Sequence, residues 1–249
     1  MNMDTMPLRW GHFRVLIVAS LGQITGAGLA TLVGVILPMI QIFRHPGLTS
    51  LQQGLVAATS LVGIMVGSVL FGAWSDKKGY LFFFRFCPAL ILAASLFTFF
   101  TADLFGLVTG LFFMGLGIGG GYSLDSDYIS EIMPRRWKLL MVGVAKAASS
   151  LGSIAAAAIC FSLLREWHDP HLWNRLLLLV AVMAVVMLLC RIRFEQSPGW
   201  LIAHGRISEA EKAVRYFLGP DVEIGEIATA PIKRRCRRWL GATFSNPVR

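Results

Sequence analysis

Long apolar stretches alternate along this chain with short polar breaks, and the pattern is not one of buried and solvated faces. Crossing a hydrocarbon core of ~30 Å takes about 20 apolar residues as a helix. Six stretches qualify: Val15 to Ile36, Leu51 to Trp74, Leu81 to Phe100, Leu104 to Leu124, Leu139 to Leu164 and Leu172 to Cys190. The fourth carries no charge and the fifth encloses Lys146. The third holds Arg85 one turn inside its start, from where the side chain is expected to snorkel to the interface. Pro38 fits the end of the first helix, and Pro134 and Pro170 fall in loops, where a missing N–H is harmless. The pattern predicts an all-α, polytopic bundle of six transmembrane helices over residues 15–190, preceded by a tail at 1–14. The apolar run after Arg14 is too long for a signal-peptide core and lacks a convincing small-residue cleavage site, so it is expected to be retained as the first helix.

Beyond Cys190 the character changes. Ser208–Leu218 sets apolar Ala213, Val214, Phe217 and Leu218 among Glu209, Glu211, Lys212 and Arg215, the pattern of a short amphipathic helix, and Gly219-Pro220 stops it. Residues 191–219 therefore read as an aqueous helical region and 220–249 as a basic tail carrying Lys233, Arg234, Arg235, Arg237 and Arg238. That tail either binds anionic headgroups, at about 1 kcal/mol per basic residue near the surface, or is a frayed end. Arg9, Arg14, Lys77, Lys78, Arg85, Arg135, Arg136, Lys138 and Arg191 onward fall on one side of the six spans, against Arg44, Arg165 and Arg175 on the other. The positive-inside rule then puts both ends in the cytoplasm, with the chain multi-pass in the cell membrane.

Composition agrees with this reading and excludes others. Hydrophobic residues make up 55% and charged residues 15%, where soluble domains hold about 45–50% and about 25%. The formal net charge of +9 follows from the basic loops and tail and gives no reason to expect a nucleic-acid partner. Cys87, Cys160, Cys190 and Cys236 have no paired spacing and read as small buried apolar residues. His168 and His171 form an H-x-x-H in an outer loop without a third ligand, so no metal is expected. An intramembrane protease would need a G-x-S-x-G-like serine with a histidine at membrane depth; no such serine motif occurs, and all five histidines are expected outside the spans. Neither a P-loop nor a Rossmann fingerprint is present, so neither ATP-driven pumping nor a cofactor is indicated, and the chain is not expected to be an enzyme.

Three motifs sit at successive helix ends. Between spans two and three runs Gly72-Ala-Trp-Ser-Asp76-Lys77-Lys78-Gly79-Tyr80, where so tight a turn needs Gly79 for an unusual backbone angle and Asp76 is placed to cap free amides of the third helix. After the fourth span, Gly115-Leu-Gly117-Ile-Gly119-Gly120-Gly121-Tyr122 leads into Tyr128-Ile-Ser-Glu131-Ile-Met-Pro134-Arg135-Arg136. After the sixth come Glu195-Gln196-Ser197-Pro198-Gly199-Trp200-Leu201, Gly205-Arg206 and Glu209-Ala210. In this order and at these ends, the three resemble the signatures of the major facilitator superfamily, in its sugar and metabolite porter branch. Tyr80 and Leu81 replace two basic residues of the first signature, with Arg85 as a substitute, and Gly199 stands where the third has arginine.

The resemblance implies a six-helix, amino-terminal half of a twelve-helix fold, with substrate at the midplane between two halves. It implies a secondary transporter that moves a small polar metabolite, a sugar or organic acid, by alternating access, in a truncated or half-size form. A second copy or another six-helix chain would complete it. The cytoplasmic gate would comprise Gly72, Asp76, Lys77, Gly79, Arg85, Glu131, Arg135, Arg136, Glu195, Arg206 and Glu209. Symporting members often carry an acidic residue in helix one and an arginine early in helix four; Gly26 and Leu111 stand there in this chain. Coupling then moves to Asp125, Asp127 and Lys146, or is lost. A non-transporting scaffold, a lipid-binding protein and an inactive transporter remnant are the alternatives.

Ionisable groups within a span cost at least ~2.5–3.5 kcal/mol on the insertion scale and mark functional sites by default. Lys146 lies two turns into the fifth span, and Asp125 and Asp127 lie near the end of the fourth, a spacing that allows a pair between Lys146 and either aspartate. The lysine binds an anionic substrate, relays a proton, serves a structural pair, or snorkels to the interface from ~10 Å. Gln23, Thr25, Gln41 and Tyr122 are the other polar candidates for a cavity wall. Gly22-x-x-x-Gly26, Gly63-x-x-x-Gly67, Gly106-x-x-x-Gly110 and Gly117-x-x-x-Gly121 predict close helix contacts.

Overall fold

The computed structural model describes residues 8–43, 48–101, 103–166 and 172–218. Those residues form α1 (Trp10–Phe43), α2 (Ser50–Lys78), α3 (Tyr80–Phe100), α4 (Leu104–Ile132), α5 (Arg135–Glu166), α6 (Leu172–Ile192), α7 (Pro198–Ala203) and α8 (Ile207–Leu218). Helices α1 to α5 are each long and apolar enough to cross a membrane, and α6 contributes a shorter apolar segment, Leu176–Ile192. Helix is the form lipid demands, because every backbone N–H and C=O must find its partner inside the segment.

The helices overrun the apolar stretches. α1 starts at Trp10 and passes through Pro38, which was expected to end it. The proline removes one hydrogen bond, to the carbonyl of Gly34, and both residues lie on the exposed side. Met39 and Ile40 beyond it are buried in the core, and that packing carries the helix onward. α2 opens with a capping box: the Thr49 side chain accepts from the Gln52 amide while Gln52 accepts from the Thr49 amide at 3.0 Å. α4 and α5 are parted at Met133 and Pro134, as the proline requires.

α2 packs along α4, α1 along α5, and α3 against both α4 and α6, while α1 also reaches α4 and α6. Glycines decide how closely these axes approach. A Cβ on Gly63 or Gly67 of α2 would run into the carbonyls of Phe112 and Leu116, and one on Gly115 or Gly119 of α4 into those of Ser60 and Ile64. The α2–α4 crossing is thus built from both sides, as small-xxx-small contacts are. The α4 face toward α2 is Gly115-x-x-x-Gly119, whereas Gly110 and Gly117 of the expected motifs abut α3, at Thr98 and at Ile91 and the Cys87 carbonyl. Gly152 similarly lets α5 lie against the Ile24 carbonyl of α1.

The amphipathic segment forms α8 beneath the end of the bundle that carries Arg14 and Arg193. Ala210, Ala213 and Val214 are buried in the same core cluster as Val15 and Val18 of α1. Tyr216 donates to the Arg193 carbonyl at 2.8 Å and receives Arg14 at 3.3 Å. Ser197 caps α7, with Pro198 in its first turn. Cys87 and Cys160 are buried as expected, but Cys190 is exposed. Pro170, His168, His171 and the basic stretch 220–249 with Cys236 lie outside the described residues.

Candidate functional site

The intramembrane charges pair across helices distant in sequence. Asp125 of α4 pairs with Arg191 at the end of α6, Nη2 to Oδ1 at 2.5 Å, with the two side chains 1% and 0% exposed. Pro88, inside α3, explains much of what holds the arginine there. Its missing N–H leaves the Phe84 carbonyl without its helical partner, and Arg191 Nη1 donates to that oxygen at 3.2 Å. The guanidinium also lies 4.0 Å from the centre of the Phe84 ring, a cation–π contact that strengthens away from water. One arginine thereby ties α6 to α3 and α4. Gly22 of α1 makes room for the pair, since a Cβ there would collide with Asp125 Oδ2.

Lys146 is therefore not the ion-pair partner of Asp125. It is exposed on α5, close enough for the two charges to interact, and makes no ion pair among the described residues. Helical spacing shows which way it faces. Ala145, Gly152 and Ala156 make the buried seam of α5; Lys146, Ser150 and Ser153 lie to one side of it and Ala155 and Ile159 to the other. The second side opens on an apolar cleft walled by Leu29 and Leu32 of α1 and Leu179 and Met183 of α6. Gln23 sits on the first side, between the arc of α1 that meets α4 at Gly22 and Gly26 and the arc that meets α5 at Ile24 and Gly28. Gln23, which is buried, and exposed Lys146 thus lie on the side of the α1–α5 pair away from the largely apolar cleft.

Of the remaining cavity candidates, the Tyr122 hydroxyl packs where a Gly26 Cβ would stand. Thr25 donates to its own helix at the Leu21 carbonyl, 2.8 Å away. Gln41 accepts the Leu48 amide at 3.0 Å and so ties α1 to the start of α2. Asp127 lies in the last turns of α4, where its carbonyl accepts Ser130 Oγ at 2.9 Å.

At the end of the bundle, the α2–α3 turn, the start of α3 and the segment after α6 lock together. Gly79 adopts φ 92°, the left-handed region glycine tolerates. The Leu81 amide at the head of α3 donates to Gln196 Oε1 at 2.7 Å. Arg85 Nη2 donates to the Ile192 and Phe194 carbonyls at 2.7 and 3.1 Å, placing a cation on the carbonyls at the end of α6. Tyr128 donates to the Glu195 carbonyl at 2.8 Å, and its ring stacks on Phe84, which also packs against Phe194. Gly72 approaches Ser123 of α4. Arg206 and Glu209 pair with each other, at 2.9 and 2.7 Å, at the start of α8. Lys77 and Arg136 are exposed, the latter over the Trp137 ring. Asp76, Glu131 and Arg135 belong to α2, α4 and α5, but their side chains lie outside the described residues.

One histidine departs from expectation. His12 lies in the first turn of α1, at the end of a candidate span, and is buried, with Nδ1 accepting the Arg9 amide at 2.9 Å. The larger omission was Arg191, read only as a basic residue flanking a helix. Two signals pointed to it: a carboxylate at membrane depth needing a counter-charge, and a proline in the third span freeing a carbonyl one turn back.

Residues 15–233 match the family model described as Sugar (and other) transporter. Among curated proteins, the chain is 30% identical over 251 residues to the inner membrane metabolite transport protein YgcS of Escherichia coli, covering 98% of this chain and 56% of that protein. It is 28% identical over 192 residues to the glucose transporter GlcP of Staphylococcus epidermidis, covering 75% of this chain and 41% of that one. Among solved structures, the major facilitator proton:xylose symporter XylE superposes with a TM-score of 0.76 at 19% identity, over 84% of this chain and 50% of that one. A partially occluded, inward-open XylE from Escherichia coli gives 0.74 at 21%. These structures establish the fold, and the chain spans about half the length of the curated relatives it matches.

Proposed function

From the premise that this chain belongs to the sugar (and other) transporter family of the major facilitator superfamily, we propose that it acts in secondary transport of a small polar metabolite, a sugar or an organic acid, across the cell membrane. The observation that carries the reading is the segregation on α1 and α5. Gln23 and Lys146 lie on one side of the pair, and on the other is a cleft whose lining is apolar apart from Thr25, which is bonded to its own helix. A scaffold has no use for a lysine held open at membrane depth, whereas a translocation path does. The wall opposite Gln23 and Lys146 is a second six-helix bundle, from a second copy, another polypeptide or a longer form of this one.

Alternating access needs one end to open and reseal. The α2–α3 turn with Asp76, Lys77 and Gly79, together with Glu131, Arg135, Arg136, Glu195, Arg206 and Glu209, is the gate in this reading. Its support is that the turn, α4 and the segment after α6 are already braced by Gln196, Arg85 and Tyr128. The braced end then moves as one body against the opposing bundle. Coupling to a proton belongs to the same proposal.

The experiment is counterflow of labelled metabolites in liposomes holding the chain at its native stoichiometry. Saturable entry that Asp76→Asn reduces at least about ten-fold, with the mutant still folded, is the expected result. Absence of entry for every sugar and organic acid, with vesicle association dependent on residues 220–249, would establish the lipid-binding scaffold instead.

A further inference from the structure

Resting on the transport reading above, we propose that the substrate is a carboxylate and that Lys146 binds it. Lys146 lies ten residues inside the span that starts at Arg136, about 15 Å along the helix axis. Measured from Leu139, where the uncharged stretch begins, it is seven residues, about 10 Å, inside the apolar part of the helix. A cation at this depth needs an anion. Both aspartates near the end of α4 already have partners. Asp125 is closed off by Arg191 at 2.5 Å, and Asp127 has contacts of its own. Lys146 makes no ion pair among the described residues, and its exposed position on the polar side of α5 faces the space a substrate would enter.

The same arrangement selects between anions. Arg191 is wholly buried and its charge is already paired with Asp125, so it is not open to the substrate as a second cation. A single ammonium matches the single charge of a carboxylate; a phosphate dianion would be left half-neutralised in a low dielectric. A neutral sugar is matched least well. Closing over it would bury the lysine without a counter-charge, which is costly, whereas a carboxylate neutralises it. Gln23, on the same side of α1, is buried but without a hydrogen bond among the described residues, so its amide has a donor and an acceptor to offer a substrate hydroxyl that reaches it.

The test is equilibrium binding of matched pairs to the full chain in lipid nanodiscs, using glucuronate against glucose and gluconate against glucitol, with counterflow of the same four compounds alongside. The acid of at least one pair is expected to bind about ten-fold tighter than its neutral counterpart or better. Lys146→Gln should abolish that preference and Lys146→Arg should keep it; because the side chain is exposed, both variants should elute and melt as the parent does. Binding of the neutral member as tightly as the acid, or a preference that survives Lys146→Gln, overturns the proposal while leaving transport intact. Failure of all four compounds to bind or to exchange overturns this proposal; the transport reading falls with it only if the wider counterflow screen also shows no entry.

Discussion

The Asp125–Arg191–Pro88 arrangement makes a prediction that can be followed through three substitutions. Arg191→Met leaves Asp125 buried without a counter-charge and the Phe84 carbonyl without a donor, because Pro88 cannot supply one. Breaking a buried pair from one side costs about 3–5 kcal/mol. Adding Asp125→Leu removes the stranded charge, so the double variant should recover most of that loss and stop about 1–3 kcal/mol below the parent, the cost of one unsatisfied buried acceptor. Adding Pro88→Ala to the double variant restores an N–H to Phe84 and should recover about 1 kcal/mol more. In the parent, where Arg191 already satisfies that carbonyl, Pro88→Ala has no such bond to restore. The coupling between positions 88 and 191 is the decisive quantity, and neighbours sharing a network couple by about 0.5–3 kcal/mol. The assay is reversible unfolding in mixed micelles by titrating a denaturing detergent, read by circular dichroism. If the double variant is as unstable as Arg191→Met, the pair is not what holds the arginine. If Pro88→Ala acts equally in both backgrounds, the carbonyl argument is wrong.

Two further outcomes follow from contacts of single residues. Gly67→Val should push α2 off α4 at the Leu116 carbonyl and cost about 1–3 kcal/mol as overpacking, measured in the same unfolding titration; Gly34→Val, where nothing lies within 4 Å, is the control. Gln196→Ala should strand the Leu81 amide at the head of α3, destabilise by about 1–3 kcal/mol and speed amide exchange at residues 79–82. Unchanged exchange there would remove Gln196 from the brace.

Much of this architecture was legible in the residues themselves. Span count, the break at Met133–Pro134, the positive φ at Gly79 and the amphipathic α8 are local properties. Hydropathy over about 20 residues, a proline's missing donor and a glycine's missing Cβ act wherever the chain goes, and lipid enforces helices by denying the backbone any outside partner. Even the error at Pro38 was one of local reasoning: a proline removes one hydrogen bond, and the packing of Met39 and Ile40 outweighs it.

The charges were not legible in that way. Asp125 had several basic residues within a helix or two, and Lys146, one short loop away, was the natural choice. Its partner is 66 residues distant, because pairing depends on how each helix is rotated and where it crosses its neighbours. Glycine seams set that geometry at Gly22, Gly63, Gly67, Gly115, Gly119 and Gly152, and hydropathy is blind to it. The rotation that turns Arg191 inward onto Asp125 and Phe84 leaves Lys146 without an ion pair among the described residues, on the polar side of α5. Sequence supplied the inventory of intramembrane charges; only the packing of α3, α4 and α6 decided which of them cancel and which one remains open.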